Sequence, residues 1–502
     1  MIANASTTPR RELLSLAESW GLGHTTVDFA RRLDREDPLK KFRKRFVIPK
    51  MVDLTGVDAE FIKCLDQECI YMGGHLLGAK PRALDDEVQK VLDDWGKRVA
   101  SRYEKGFALS TALAVRRADE MPRNFGNPAA RADRDEIVFM NGLTVNLHLL
   151  MMTYYRPEGK RTKVAVEADA FSSDLYAAQS QVSHHGLDVA SNLILLSSRE
   201  GEELLREEDI YDVIDKEGDT IAILLLCGVQ YQTGQALDIR GITSAARKKG
   251  CIVLWDLAHA VCNVELRLNE WEIDLAAWCT YKYMNCGPGC TAVAYVSHKF
   301  RKSRDRLPEL RGWWGNEAKT RLLMRREFEP SPSADMFKVS VGSAVLISAI
   351  VTSLQIFSEV GEPNRLRKQF LMTGYMELLL TDLLGARHDY KDTKHPFHLL
   401  TPADVRRRGS QFSLRLAAPY DARQVLQELL RRGIVVSYCR TIPCLGEALP
   451  SPKLAAALYD DVTTGTAAAS EHGESAHSSC KPASEHIATD PICCARRQLL
   501  CQ

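Results

Sequence analysis

Cys251-Ile252-Val253-Leu254-Trp255-Asp256-Leu257-Ala258-His259-Ala260 is a short apolar run that ends on an acid and then turns. A run of this length without polar alternation predicts a strand covered on both faces, as in parallel sheets. The pattern recurs on either side, at Ile137 to Met140, Lys163 to Glu167, Ile221 to Cys227, Leu275 to Cys279 and Thr291 to Val296. Helical patterns fall between these runs, at Leu147 to Tyr155, Tyr176 to His185 and Ile242 to Lys249. Strands alternating with helices predict an α/β domain with a mostly parallel central sheet and helices on both faces. Ligands in such sheets sit beyond the carboxyl ends of the strands, so the residues just past each run carry the most functional weight.

Outside this block the patterning changes. Leu84 to Trp95 and 343–385 read as helical, Gln411 to Leu416 alternates like a strand, and Ala422 to Arg432 is again helical. These segments predict an N-terminal segment over 1–85, a large α/β domain over 86–345 and a smaller α+β domain over 346–450. From 451 to 502 Ala, Ser, Thr, Glu and His dominate without a hydrophobic period, the composition of a disordered tail. The basic run Lys40 to Arg45 follows Asp34, Glu36 and Asp37, and reads as a solvated face.

Composition narrows the function classes. The chain has 502 residues, 45% of them hydrophobic and 26% charged, with a formal charge of +1. So small a charge speaks against nucleic acid or an anionic membrane as partner. No apolar run reaches the ~18 residues of a membrane span, and the first residues contain no apolar signal region, so a cytoplasmic location is the expectation. The 14 cysteines are scattered and mostly lie in apolar segments, which predicts buried reduced thiols. The tail cysteines Cys480, Cys493, Cys494 and Cys501 lack the paired spacing of a zinc site.

The chemistry is carried by two strand ends. Asp256 closes one run, and Lys282 follows it by 26 positions in Trp278-Cys279-Thr280-Tyr281-Lys282-Tyr283, just past another. Alone, Asp256 would be a helix cap and Lys282 a surface cation. Together they suit pyridoxal 5'-phosphate: the carboxylate keeps the pyridine nitrogen protonated, and the amine binds the aldehyde carbon and moves protons at the substrate Cα. The phosphate calls for backbone amides at a helix start and a hydroxyl. Met140-Asn141-Gly142-Leu143-Thr144 offers both, although an ordinary strand-to-helix turn has the same form. Phe171-Ser172-Ser173-Asp174 begins a second helix, where the ring of Phe171 can stack on the cofactor with Asp174 near its polar edge. A plain capping motif is the competing reading there.

The stretches MNGLTVNLHLLM, EADAFSSDLYAAQSQVSHHGLD, GVQYQTGQALDI, DLAHAVCNVEL, WCTYKYMN and RGWWGNE resemble kynureninase, a fold-type-I pyridoxal phosphate hydrolase. The likeness is strong over 136–330, recognisable at 33–50 and 70–81, and weaker over 337–437. It implies that Lys282 is the Schiff-base lysine, that Asp256 pairs with the ring nitrogen and that His259 lies beside them. Leu143 and Thr144 would meet the phosphate, and Phe171, Ser172, Ser173 and Asp174 the ring. Tyr281 would reach the phosphate and relay protons. Trp313 would close the site of a neighbouring subunit, implying a homodimer with shared active sites. The implied reaction is hydrolysis of L-kynurenine to anthranilate and L-alanine, and of 3-hydroxykynurenine to 3-hydroxyanthranilate, in tryptophan catabolism on the route to nicotinamide cofactors.

Four departures from the family stand out. Residues 101–135 lack its His and Pro-Trp pair, Val341 stands where it has asparagine, Cys227 replaces a small hydroxyl residue, and Asn316 replaces a His. Beyond Ser437 the likeness stops, and with it the arginine that binds the substrate carboxylate. Misread exon boundaries and a divergent enzyme would both produce such bounded losses. The chain as written is expected to bind the cofactor but turn over poorly. Two rivals follow: a non-catalytic cofactor-binding regulator, and another fold-type-I enzyme such as an aminotransferase, or a cysteine desulfurase using Cys439 or Cys444.

Overall fold

The computed structural model describes residues 8–98, 132–302, 310–389 and 395–438. The tail, Cys439, Cys444 and most of 101–135 lie outside them. The core is a seven-stranded sheet built from β1 (Ile137–Phe139), β2 (Lys163–Glu167), β3 (Leu193–Leu196), β4 (Ile221–Cys227), β5 (Ile252–Asp256), β6 (Leu275–Trp278) and β7 (Val293–Val296), in the order β1-β7-β6-β5-β4-β2-β3. β3, β2, β4, β5 and β6 pair in parallel, and β7 runs antiparallel to both of its neighbours. The expected mostly parallel α/β sheet is therefore present.

Alternate residues along the strands feed two cores. Ala165, Leu224, Leu226, Val253, Trp255 and Ala276 face one, with Ile210, Ile214, Ile242 and Ile350 from helices Glu207–Glu217, Ile239–Lys248 and Ala344–Val360. Val164, Val166, Ile223, Leu225, Leu254 and Ala277 face the other, with Leu147, Leu150 and Val182 from helices Leu143–Tyr154 and Ser172–His184. This two-sided burial is why the strands read as unbroken apolar runs rather than alternating ones. β3 and helix Glu207–Glu217 are absent from the sequence-based expectation. β3 is an edge strand of four residues in which Leu195 is 51% exposed, and it lacks the buried signature of its neighbours.

The described chain divides into two compact units. The larger comprises His75–Glu362 and Pro402–Gln411, and the smaller the N-terminal residues to Gly74, Pro363–Thr401 and the chain from Phe412 onward. The divisions thus fall at 74 and 362 rather than at 85 and 345. The reason is packing: helix Leu84–Arg98 lies against helix Ala344–Val360, and Leu84, Leu346, Ile347 and Ile350 join one core of the sheet. The segment Pro402–Gln411 returns to the large unit, where Ala236 N–H donates to Arg407 O (2.8 Å) and Gln411 Nε2 to Tyr231 O (2.8 Å). The strand expected to begin at Gln411 accordingly starts only at Leu414. In the small unit, Leu13 and Ala17 of helix Pro9–Trp20 and Phe29 of helix Val27–Glu36 pack on Tyr375 and Leu378 of helix Glu362–Leu384.

The eight described cysteines form no disulfide with one another, and seven are buried. No single described helix is long and apolar enough to cross a membrane.

Candidate active site

Parallel strands end together, so their last residues form a row. Cys227 and Asp256 are register partners at the ends of β4 and β5, and Glu167 ends β2 on the far side of β4. Asp256 is 6% exposed and accepts the Ala258 N–H at 2.7 Å. No helix starts directly after Asp256, so this contact closes a turn and is not the helix cap that Asp256 alone would suggest. Asp174 is 2% exposed, and its carboxyl faces that of Asp256 closely enough to share a proton. Burial and the Asp256 charge push Asp174 well above the usual carboxylate range. Burial also raises Asp256, but the Lys282 charge and the Ala258 N–H oppose it. Asp174 is therefore the protonated member of the pair and Asp256 the anion.

Lys282 lies in the loop after β6. Its Nζ is 2.9 Å from His259 Nε2 and 5.9 Å from the centroid of the Phe171 ring. Burial, with the charges of Lys282 and His75, drives the His259 pKa well below its usual value, and the neutral imidazole can accept from the ammonium. The Phe171 ring meets Tyr231 edge-on at 5.4 Å, and Tyr231 is 6.5 Å from His259. Tyr281 lies beside Cys279, and burial raises its phenol above the ordinary value.

Two further contacts hold the lysine loop. Tyr281 O accepts the Gly78 N–H at 2.8 Å, and a Cβ added at Gly78 would lie 2.3 Å from Lys282 O. Thr280 Oγ1 donates to Thr291 O at 2.8 Å. Gly78 was visible only as part of a glycine-rich turn, since a close backbone approach from 200 residues away leaves no local signal.

The phosphate expectation falls on helix Leu143–Tyr154. Asn141 takes a left-handed φ of 51°, Asn146 Nδ2 donates to Met140 O (2.9 Å), and the helix has Gly142 as its N-cap with no side-chain cap bond. Leu143 and Thr144 are in its first turn. Helix Ser172–His184 likewise has no side-chain cap, its N-cap being Phe171. The plain capping reading of Phe171 to Asp174 is thereby corrected: the apolar Phe171, not a hydroxyl or carboxylate residue, occupies the cap position.

Trp313 keeps different company. It is 44% exposed on a short 3-10 turn, with its indole edge-on to Trp314 at 4.9 Å. The glycines around it answer to packing, since a Cβ at Gly312 would meet Val339 O at 1.9 Å and one at Gly315 would meet Met336 O at 2.4 Å. Asn316 is engaged locally: its Oδ1 accepts the Glu329 N–H (2.8 Å) and its Nδ2 donates to Thr320 Oγ1 (3.1 Å).

The structure thus brings Asp256, Asp174, His259, Lys282 and Phe171 together. Glu167 joins them through Cys227, whose N–H it accepts at 3.0 Å. Its signal was present, since a carboxylate closing an apolar strand is what singled out Asp256. The buried atoms Asp174 Oδ1 and His259 Nδ1 have no hydrogen-bond partner among the described residues. Two unsatisfied buried polar atoms beside an amine, an anionic carboxylate and two uncapped helix starts suit a ligand with a protonated ring nitrogen, an aldehyde and a phosphate. Pyridoxal phosphate has all three. Among the described residues there is no group of His, Cys, Asp and Glu that could hold a metal.

Comparison with known proteins agrees with this chemistry. The aminotransferase class-V family model matches residues 79–312. The kynureninase of Nematostella vectensis is 40% identical over 429 residues, covering 85% of this chain and 90% of that protein. The chain belongs to the kynureninase family. The human kynureninase is likewise 40% identical, over 81% of this chain and 85% of its own. The cysteine desulfurase of Thermococcus onnurineus NA1 superposes with a TM-score of 0.56, covering 73% of this chain and 83% of that one. At 15% identity that likeness is one of fold. This kynureninase-family chain therefore has the fold-type-I architecture that the resemblance implies, built on the mostly parallel sheet that its strand pattern predicts.

Proposed function

We propose that this chain hydrolyses the Cβ–Cγ bond of L-kynurenine to anthranilate and L-alanine, and that of 3-hydroxykynurenine to 3-hydroxyanthranilate and L-alanine, as a step of tryptophan catabolism toward nicotinamide cofactors. The observation that carries the reading is 40% identity to kynureninases over 85% of the chain. Pyridoxal phosphate is the cofactor. When bound, its ring accepts the electron pairs released at the substrate Cα and Cβ.

The residues divide the remaining work. Lys282 Nζ is the attachment point and then the base that moves the Cα proton. Neutral His259, 2.9 Å from that nitrogen, accepts from it and aims it. Asp256, held anionic, retains the proton on the ring nitrogen, with Asp174 as its protonated neighbour. Leu143 and Thr144 hold the phosphate at the helix start, Tyr281 reaches it from the lysine loop, and Phe171 to Asp174 line the ring. Water supplies hydroxide to Cγ and a proton to Cβ. Trp313 closes the cofactor site of a second copy, which makes the enzyme a homodimer. Its location is the cytoplasm.

The test is release of fluorescent anthranilate from L-kynurenine by the purified chain, with borohydride reduction of the holoenzyme. A pyridoxyl tag on Lys282 and product release are expected, and absence of the tag overturns the site assignment. A second reading, a cofactor-binding regulator, draws on Val341, whose side chain cannot hydrogen-bond where the family has asparagine. A tag without any anthranilate would decide for it.

A further inference from the structure

Beneath the Asp256–Asp174 pair lies a third carboxyl that the proposed chemistry leaves unused. Glu167 is 4% exposed and accepts both the Cys227 N–H, at 3.0 Å, and the Cys227 thiol. The titratable groups that face it are Asp169 on the following turn, Asp174 on the next helix, Cys227 on β4 and Asp256 on β5. Among the described residues the cation acting on this cluster is Lys282, which reaches Asp256 and Asp174. One ammonium compensates one anion, and a further uncompensated buried charge is strongly disfavoured. Asp256 keeps the negative charge because the amine and the Ala258 N–H are on its side. The surplus must be held as protons, and Glu167 is the carboxyl farthest along the row from the amine.

We propose that Glu167 is a positioning residue that stores the exchangeable proton of this row, so that its ionisation sets the charge felt at Asp256 and through it at the ring nitrogen. The inference rests on the cofactor assignment made above. The exchange passes one proton between the Glu167 carboxyl and the buffer and changes no other bond. Ionised, Glu167 adds negative charge behind Asp256 and strengthens retention of the ring proton. Burial pushes the Glu167 pKa up to about 7, which puts the exchange in the neutral range.

The experiment follows the absorbance of the bound cofactor through the neutral pH range in the wild-type holoenzyme, Glu167→Gln and Cys227→Ala. Wild type is expected to show a spectral transition near pH 7. Glu167→Gln keeps an acceptor for the Cys227 N–H but cannot ionise, and is expected to lose that transition. Cys227→Ala removes a thiol donor that favours the anion, and is expected to move the midpoint upward. A transition unchanged in Glu167→Gln overturns the proposal, since a merely structural role would be preserved by the amide. If Glu167→Gln does not fold, an unshifted midpoint in Cys227→Ala overturns it. Borohydride tagging of Lys282 in wild type separates the two levels: no tag sinks the cofactor assignment, whereas a tag with an unchanged transition sinks only the role of Glu167.

Discussion

Asp256 and Asp174 are both buried aspartates, yet their surroundings give them opposite charge states. The strand-end position of Asp256 was readable because an acid closing an apolar run is conspicuous, while the proton on Asp174 depends on a neighbour 82 positions away. Asp274 shows the same physics in a purely structural setting. It is 2% exposed, accepts the Val253 N–H at 3.1 Å and lies 3.6 Å from Arg247. Burial outweighs these contacts and raises its pKa to about 6. The unfolded value is about 3.9. Because the folded value is the higher, folding favours the protonated acid, and that stabilisation is fully present below pH ~4 and lost as pH rises through ~6. Asp274→Asn is therefore expected to gain on wild type over this interval, by roughly 2–3 kcal/mol. Urea unfolding of both proteins at matched pH measures the difference, and a flat difference would contradict the account.

At the scale of elements, two contacts decide whether the strand ends stay aligned. Gly78 lies against the Lys282 backbone, so Gly78→Ala must displace the lysine loop. Misplacing a reacting group by about an ångström costs on the order of 10²-fold in rate. A loss of that size in kcat/KM is expected, with a melting temperature that falls only slightly; wild-type kinetics would show that the loop yields without cost. Arg161 works at the opposite ends of the strands. Its guanidinium donates to Gly218 O (2.8 Å), Ile221 O (2.6 Å) and Lys249 O (2.8 Å). Arg161→Met leaves those carbonyls short of a charged donor and is expected to cost roughly 2–4 kcal/mol, read by denaturant unfolding. Neither contact is local. The glycine-rich turn and the arginine could be seen in the sequence, but their partners lie from 57 to about 200 positions away.

For the whole molecule, Leu310, Trp313, Leu322, Leu323 and Met324 are 44–75% exposed on one stretch of the large unit. The proposed homodimer would cover apolar surface of this kind. Light scattering is expected to give twice 56.2 kDa, and Leu323→Asp to lower that mass toward the single chain; a wild-type monomer would refute the shared-site proposal. Six of the seven strands, three of the helices between them and the acid–amine pair at 256 and 282 were determined by the chain alone, because burial on two faces imposes a pattern that any short window displays, which the exposed edge strand β3 lacks. The company those residues keep was not. Strand order sets Glu167 and Cys227 beside Asp256, returns 402–411 to the large unit, and lays Gly78 on the lysine loop. Those juxtapositions, and the protonation states that follow from them, come from long-range packing and desolvation, which leave no periodic trace in sequence.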